Sequence, residues 1–197
     1  MRINIIIVVF GLVLLAMLFS IPAQNAPVTL GADGMVLKLS IDDKIKAAEL
    51  IMIGEVKTTL PSRWMGGFGN DPKNASPEEV VRARGLFTDS LISINQVLKG
   101  DTRIPVARVR AFTGQTRKVR WTNDAEPSYV VGKTYLLFLK KDYGPTAKID
   151  PGDYIAVGAF QGVYEIVDGK AISKDDEWVL EELIAYIEDT VSQTPTP

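Results

Sequence analysis

The 197-residue chain contains no cysteine and no histidine. Without them it builds no Ser-His-Asp or Cys-His nucleophile system, no histidine or thiolate zinc site, and no common haem or iron–sulfur centre. A serine–lysine hydrolase would need Ser-x-x-Lys, and that spacing occurs nowhere. No disulfide braces the fold and no cysteine is available for lipid attachment, so stability rests on an ordinary core. The reading is of a non-enzymatic chain with no cofactor and no metal site. Aromatic residues are also scarce, at 8%, which makes their placement informative. The stretch 61-PSRWMGGFGNDPKNAS-76 places Trp64, Met65 and Phe68 among glycines, prolines and small polar residues. Such a run sustains neither a regular helix nor a regular strand.

Long apolar runs are missing except at the start. Arg2 precedes an apolar stretch from Ile5 to Phe19, followed by 20-SIPAQNA-26. A charged start, an apolar middle and a small-residue cleavage site after Ala23 or Ala26 describe a signal peptide. The run is shorter than the about 20 residues a spanning helix prefers, although Ser20 and Ile21 extend it toward the lower limit of about 17. An uncleaved anchor is therefore the alternative. The organisation expected is a signal peptide or membrane anchor over 1–23, one domain over 27–191, and a disordered polar tail over 192–197. The compartment expected is secreted or cell-envelope, with membrane contact only through an uncleaved leader. Loss of residues 1–23 removes one positive charge, Arg2, and takes the formal net charge from −2 to −3. That balance gives no reason to expect nucleic acid as a partner.

Periodicity and capping signals outline a mainly β domain. In 40-SIDDKIKAAEL-50, Ser40 caps a short helix with Asp42 and Asp43 in its first turn. The β-branched run 50-LIMIGEVKTT-59 is the first barrel strand, with Gly54 at a tight bend. Ser76, Pro77 and Glu79 mark a capped helix over 76–83. Strand 86–100 alternates imperfectly, which predicts a bulge near Asn95 and Gln96. Strand 104–112 alternates more cleanly, with Arg108 and Arg110 on one face. A polar, Pro-containing connection leads to 133–141, which is apolar on both faces. Asp168-Gly169 is a hairpin turn between Val167 and Lys170. Ser173 is expected to cap a last amphipathic helix over 174–191. Five or six strands and few helices fit a small closed five-stranded OB-like Greek-key barrel better than a sandwich of about seven strands.

The ordered segments 50-LIMIGEV-56, 62-SRW-64, 88-TDSLISINQVLKG-100, 131-VGKTYLLFL-139 and 154-YIAVGAFQGVYEIVDGK-170 resemble a group of exported prokaryotic proteins. These carry a netrin-module or tissue-inhibitor-of-metalloproteinases-like OB barrel. The resemblance covers roughly residues 40–172 and implies a fold and a compartment rather than an activity. In the animal inhibitors an N-terminal cysteine chelates the protease zinc. This chain has no cysteine, so that mechanism transfers to none of its residues.

Two motifs invite over-reading. The stretch 127-PSYVVGKT-134 ends like a phosphate-binding loop, but Pro127 stands where glycine is needed and a strand follows where a helix should. Asp150 and Asp153 flank a Pro-Gly turn, and two carboxylates fall short of the six to eight oxygens calcium takes. The acidic pairs elsewhere lie in helix first turns or on solvated faces, which leaves a carboxylate-dependent hydrolase as a second alternative. Asn74-Ala75-Ser76 matches a glycosylation acceptor.

The positive signals are two. Six basic residues and no acid occupy 103–120: Arg103, Arg108, Arg110, Arg117, Lys118 and Arg120. The 63-RWMGGF-68 segment is the second, with Trp64 packing on the barrel beside Arg63, and Met65 and Phe68 free for an adaptable contact. The candidate binding residues are therefore Arg63, Trp64, Met65, Phe68, Arg108, Arg110, Arg117, Lys118 and Arg120. The function expected is an exported binding or interaction module for an extracytoplasmic protein or an anionic surface polymer. A protease-inhibitor-like role without zinc chelation is the first alternative.

Overall fold

The structure is a computed structural model, and it describes residues 26–32, 34, 36–66, 71–100, 103, 105–144, 146 and 154–193. The leader expected over 1–23, Phe68, and the Asp150–Asp153 turn lie outside the described residues.

Five strands close a barrel. They are β2 (Leu50–Thr59), β4 (Leu86–Lys99), β5 (Val106–Ala111), β8 (Thr134–Lys141) and β9 (Tyr154–Ala156). Their order around the barrel is β2-β4-β5-β9-β8 and back to β2, antiparallel except for the parallel β5–β9 contact. In chain order that is first, second, third, fifth, fourth, the connectivity of an OB-like Greek-key barrel.

Local sequence explains the strands that close it. Strand β4 carries an extra residue at Asn95, where Gly54 pairs with Ile94 and Ile53 with Gln96, and another at Leu98. These bulges coil the strand and turn Leu98 outward while Ile92 and Ile94 face the interior. At Gly54 a Cβ would stand 2.6 Å from the Ser93 carbonyl oxygen, so only glycine permits that close approach. Inside the barrel Leu50, Met52, Val56, Ile92, Val109 and Leu137 form the core.

A second apolar layer covers the outer face of β2 and β8. Helix α1 (Ile41–Ala47) begins in a capping box between Ser40 and Asp43, and helix α3 spans Leu180–Gln193. Ile45, Leu183 and Ile187 from these helices pack on Ile51, Phe138 and Tyr164. Strands β10 (Val163–Val167), β11 (Lys170–Ile172) and β12 (Glu177–Val179) extend the sheet beyond β8. The β10–β11 hairpin turns at Asp168 (φ 49°) and Gly169 (φ 77°), the doubly left-handed turn that Asp-Gly favours.

A third layer lies at one end. Helix α2 (Pro77–Arg82) carries the expected Ser76–Glu79 capping box. It packs Val80 and Ala83 against Trp64, Leu86 and Val119. A small sheet of β1 (Val28–Ala32), β7 (Val119–Asn123) and β6 (Gly114–Gln115) sits beside it. The two-residue strand β3 (Arg63–Trp64) pairs with β4.

Three expectations are corrected. The last helix starts at Leu180, not Lys174, because Glu177–Val179 pairs with β11. Ser173 accordingly closes the β11–β12 turn, its backbone N–H donating to the Asp176 carbonyl at 2.8 Å. Residues 113–132 are not a plain connection, since β6 and β7 form there. Ser192 and Gln193, assigned to the polar tail over 192–197, belong to α3, and residues 194–197 lie outside the described residues.

Candidate functional site

The β6–β7 hairpin turns on one threonine. Thr116 is buried, and its hydroxyl accepts the backbone N–H groups of Lys118 at 3.1 Å and Val119 at 2.9 Å. Such a side-chain-closed turn holds Arg117 and Lys118 out in solvent at the tip, with Arg120 exposed on the strand that follows. The turn is tied to the long first loop, because the Arg117 N–H donates to the Lys73 carbonyl at 3.0 Å. A second tie runs from the Gln115 N–H to the Ser62 hydroxyl at 2.8 Å.

Between this hairpin and the segment 59–62 lies a groove of about 620 Å³. Its floor comes from the ends of β4 and β5 at Thr88, Ser90 and Ala111, and its far wall from residues 122–129. That wall is shaped by Asn123, whose side-chain oxygen accepts the Ala125 N–H at 3.0 Å, and by Glu126, whose carboxylate accepts the Phe112 N–H at 3.1 Å. Burial raises the Glu126 pKa above the usual carboxylate range, opposed in part by the Phe112 bond. Trp121 stands on the near wall. Gly85, at φ 109°, lets the indole lie against the main chain, since a Cβ there would meet it at 2.5 Å. Tyr129 stacks edge-on to Tyr135 with ring centroids 5.9 Å apart. Its hydroxyl is shielded from solvent and has no hydrogen-bond partner among the described residues. An orphaned buried hydroxyl costs about 1–3 kcal/mol.

Beside the groove is a buried charge network. Arg110 donates from Nε to Asp89 Oδ1 at 2.8 Å, from Nη2 to Asp89 Oδ2 at 3.1 Å, and from Nη1 to Asp142 Oδ2 at 3.0 Å. Arg63 donates to Asp89 Oδ2 at 2.7 Å, and Thr146 Oγ1 to Asp142 Oδ2 at 2.7 Å. Both guanidinium groups lie over Phe87, at 4.1 Å for Arg110 and 5.2 Å for Arg63. The network fastens β5 to β4, to the 60–64 segment and to the chain leaving β8.

The candidate binding residues therefore divide. Arg110 is buried, 1% exposed, and its place is in this network rather than on a presented basic face. Arg108 is half-buried on the same strand. Trp64 is buried in the cluster with Val80 and Leu86, as its expected packing role requires. Met65 is half-buried, its N–H donating to the Gly85 carbonyl at 3.2 Å. Phe68 lies outside the described residues. Arg117, Lys118 and Arg120 are exposed and adjoin the groove.

Sequence reasoning missed Trp121, Glu126 and Tyr129. The alternation of 119-VRWTN-123, with Val119 buried and Arg120 exposed, was the available signal for β7. Nothing local announced the wall at 123–129. Among the described residues no three acidic side chains come together as a potential metal cluster. Among the described residues the groove is lined by one carboxylate, Glu126.

No protein-family profile and no curated protein sequence matches this chain.

Proposed function

We propose that this protein is an exported, non-enzymatic binding module. In this reading its contact surface is the β6–β7 hairpin together with the 59–66 segment. One observation carries it. The basic run is joined by the Arg117–Lys73 and Gln115–Ser62 bonds to the loop that carries the aromatics, and Arg120 of the run and residues 59–62 leading into that loop line one groove. Exposed Arg117, Lys118 and Arg120 on one rim favour an acidic partner, an anionic surface polymer or the acidic patch of an extracytoplasmic protein.

The closed barrel with flanking helices is compatible with the resemblance to netrin-module and inhibitor-like exported proteins, and the leader-like start of the chain supports export. Binding is favoured over hydrolysis because glycosidase chemistry uses two carboxyl groups across a cleft, and the groove lining supplies one. Insertion of an amino-terminal segment into a protease cleft is the less favoured alternative. The main chain of Val28–Ala32 is already paired with β7 along Val119–Asn123.

The test is binding of the purified chain to immobilised dextran sulfate and polyglutamate, with neutral dextran as control, over a salt series. Affinity should fall as salt rises, and the triple variant Arg117→Glu, Lys118→Glu, Arg120→Glu should bind at least about tenfold more weakly while melting normally. Absence of binding to either polyanion at low salt would refute the acidic-partner reading.

A further inference from the structure

The groove itself differs in chemistry from its basic rim. Among the described residues its lining has four threonines, three serines, one glutamine and one asparagine, and two charged residues, Arg120 and Glu126, which offset one another. Arg120 is occupied in part, its Nε donating to Gln115 Oε1 at 3.3 Å, and the Glu126 carboxylate holds the Phe112 N–H. Ser62, Thr88, Gln115, Thr122 and Asn123 already hold hydrogen bonds within the protein, so what remains for a ligand is the hydroxyls of Thr59, Ser90, Thr113 and Ser128 and the spare donor and acceptor capacity of the others. An anion would find one cation and one carboxylate in the lining, and a purely apolar ligand would strand the hydroxyls.

Two further observations point to a ligand rather than to a solvated crevice. The Trp121 indole is backed by the main chain at Gly85, where a side chain would collide with it, so the ring on the groove wall is held in place from behind. The volume, about 620 Å³, falls within the roughly 300–1,000 Å³ of small-molecule clefts.

From this we infer that the groove binds a short stretch of neutral saccharide, with a sugar ring against the Trp121 indole and its hydroxyls paired with the threonine and serine walls. A pyranose offers the matching surface. Its axial C–H face suits the negative face of an aromatic ring, and its edge carries hydroxyls that both donate and accept. The inference deepens the binding-module reading and rests on it: the groove holds sugar while Arg117 and Lys118, outside the lining, meet acidic groups farther along a polymer.

The two parts separate by their response to salt. Cellotetraose, maltotetraose and tetra-N-acetylchitotetraose would be titrated into the full chain. The readout is the indole N–H resonance of Trp121, assigned by its loss in Trp121→Phe. At least one tetraose should shift that resonance saturably, with an affinity unchanged by added salt. Trp121→Ala should weaken binding by about tenfold or more. Ser128→Trp, at an exposed wall position, should fill the groove and abolish binding without a change in melting temperature. Arg117→Glu with Lys118→Glu should leave it intact. No shift with any tetraose, or binding that survives Ser128→Trp, overturns the inference. If dextran sulfate binding persists in that case, the binding-module reading stands and only the groove assignment falls. If tetraose binding itself weakens as salt rises, the ligand is held by charge and the neutral assignment is wrong.

Discussion

Replacing Arg110 by methionine should be among the most damaging single substitutions in the protein. The side chain is wholly buried, as are those of its partners Asp89 and Asp142, at 0% and 1% exposure. It supplies three charge-assisted hydrogen bonds of 2.8 to 3.1 Å and rests on Phe87. Methionine fills much of the same volume, so the loss is electrostatic rather than a cavity. Arg63 stays on Asp89 and Thr146 on Asp142, but two buried carboxylates have lost their shared cation. Removing one partner of a buried ion pair costs about 3–5 kcal/mol.

At about 2–4 °C per kcal/mol for a chain of this size, the melting temperature should fall by roughly 6–20 °C. A urea titration should show a lower midpoint with an unchanged slope. The control is Lys133→Met, which breaks the 2.6 Å Lys133–Glu165 bridge, whose side chains are 45% and 32% exposed. An exposed pair of that kind contributes under about 1 kcal/mol despite its shorter contact. The triple change Asp89→Leu, Arg110→Met, Asp142→Leu should recover part of the lost stability, since it removes both stranded carboxylates, while it takes one partner each from half-exposed Arg63 and the buried Thr146 hydroxyl. If Arg110→Met costs under about 1 kcal/mol, the network is not holding the barrel and the argument from burial fails.

Other outcomes follow from the same packing. Trp64→Ala should cost about 3–5 kcal/mol in the same urea assay, because the indole fills the cluster with Val80 and Leu86. Glu126 has a folded-state pKa above its ordinary 4.5. Its contribution is therefore fully present below pH 4.5 and lost as pH rises through the folded-state value, so Glu126→Gln should flatten the wild-type fall in melting temperature across that window. Lys44 has the opposite sign. Burial lowers its pKa below 10.5, with Asp176 and Asp175 opposing the shift, so its contribution is greatest above pH 10.5 and lost as pH falls through the folded-state value. Lys44→Met should remove that alkaline slope, and melting curves of both chains over a pH series will show whether it does. The Lys44 ammonium donates to the Tyr164 hydroxyl at 2.6 Å, so the variant also strips one partner from that phenol.

Much of the architecture was written locally. Ser40 and Ser76 closed the capping boxes that their spacing to Asp43 and Glu79 predicted. Asp168-Gly169 turned the hairpin, and the broken alternation of 86–99 marked the bulge at Asn95. These features depend on a few adjacent residues, whose backbone preferences and side-chain reach decide the outcome. Trp64 was legible for a similar reason, since a large apolar ring in an otherwise polar loop is buried when a core lies within reach.

What local pattern could not settle was which elements would meet. Residues 177–179 carry a helical pattern, yet they pair with Lys170–Ile172 because the preceding hairpin delivers an open strand edge to them. Alternation put Arg108 and Arg110 on one face. It could not show that Asp142 and Thr146, more than thirty residues on, would cover Arg110 and leave Arg108 half-exposed. The groove exists only because β6–β7 is docked beside the 59–62 segment by contacts more than forty residues apart in sequence. The sequence by itself determined the Ser40 and Ser76 caps, the Asp168-Gly169 turn and four of the five barrel strands, whose causes lie within a few residues. The tertiary structure alone decided the burial of Arg110 and the chemistry of the groove. Both are set by distant side chains that share a place only once the barrel closes.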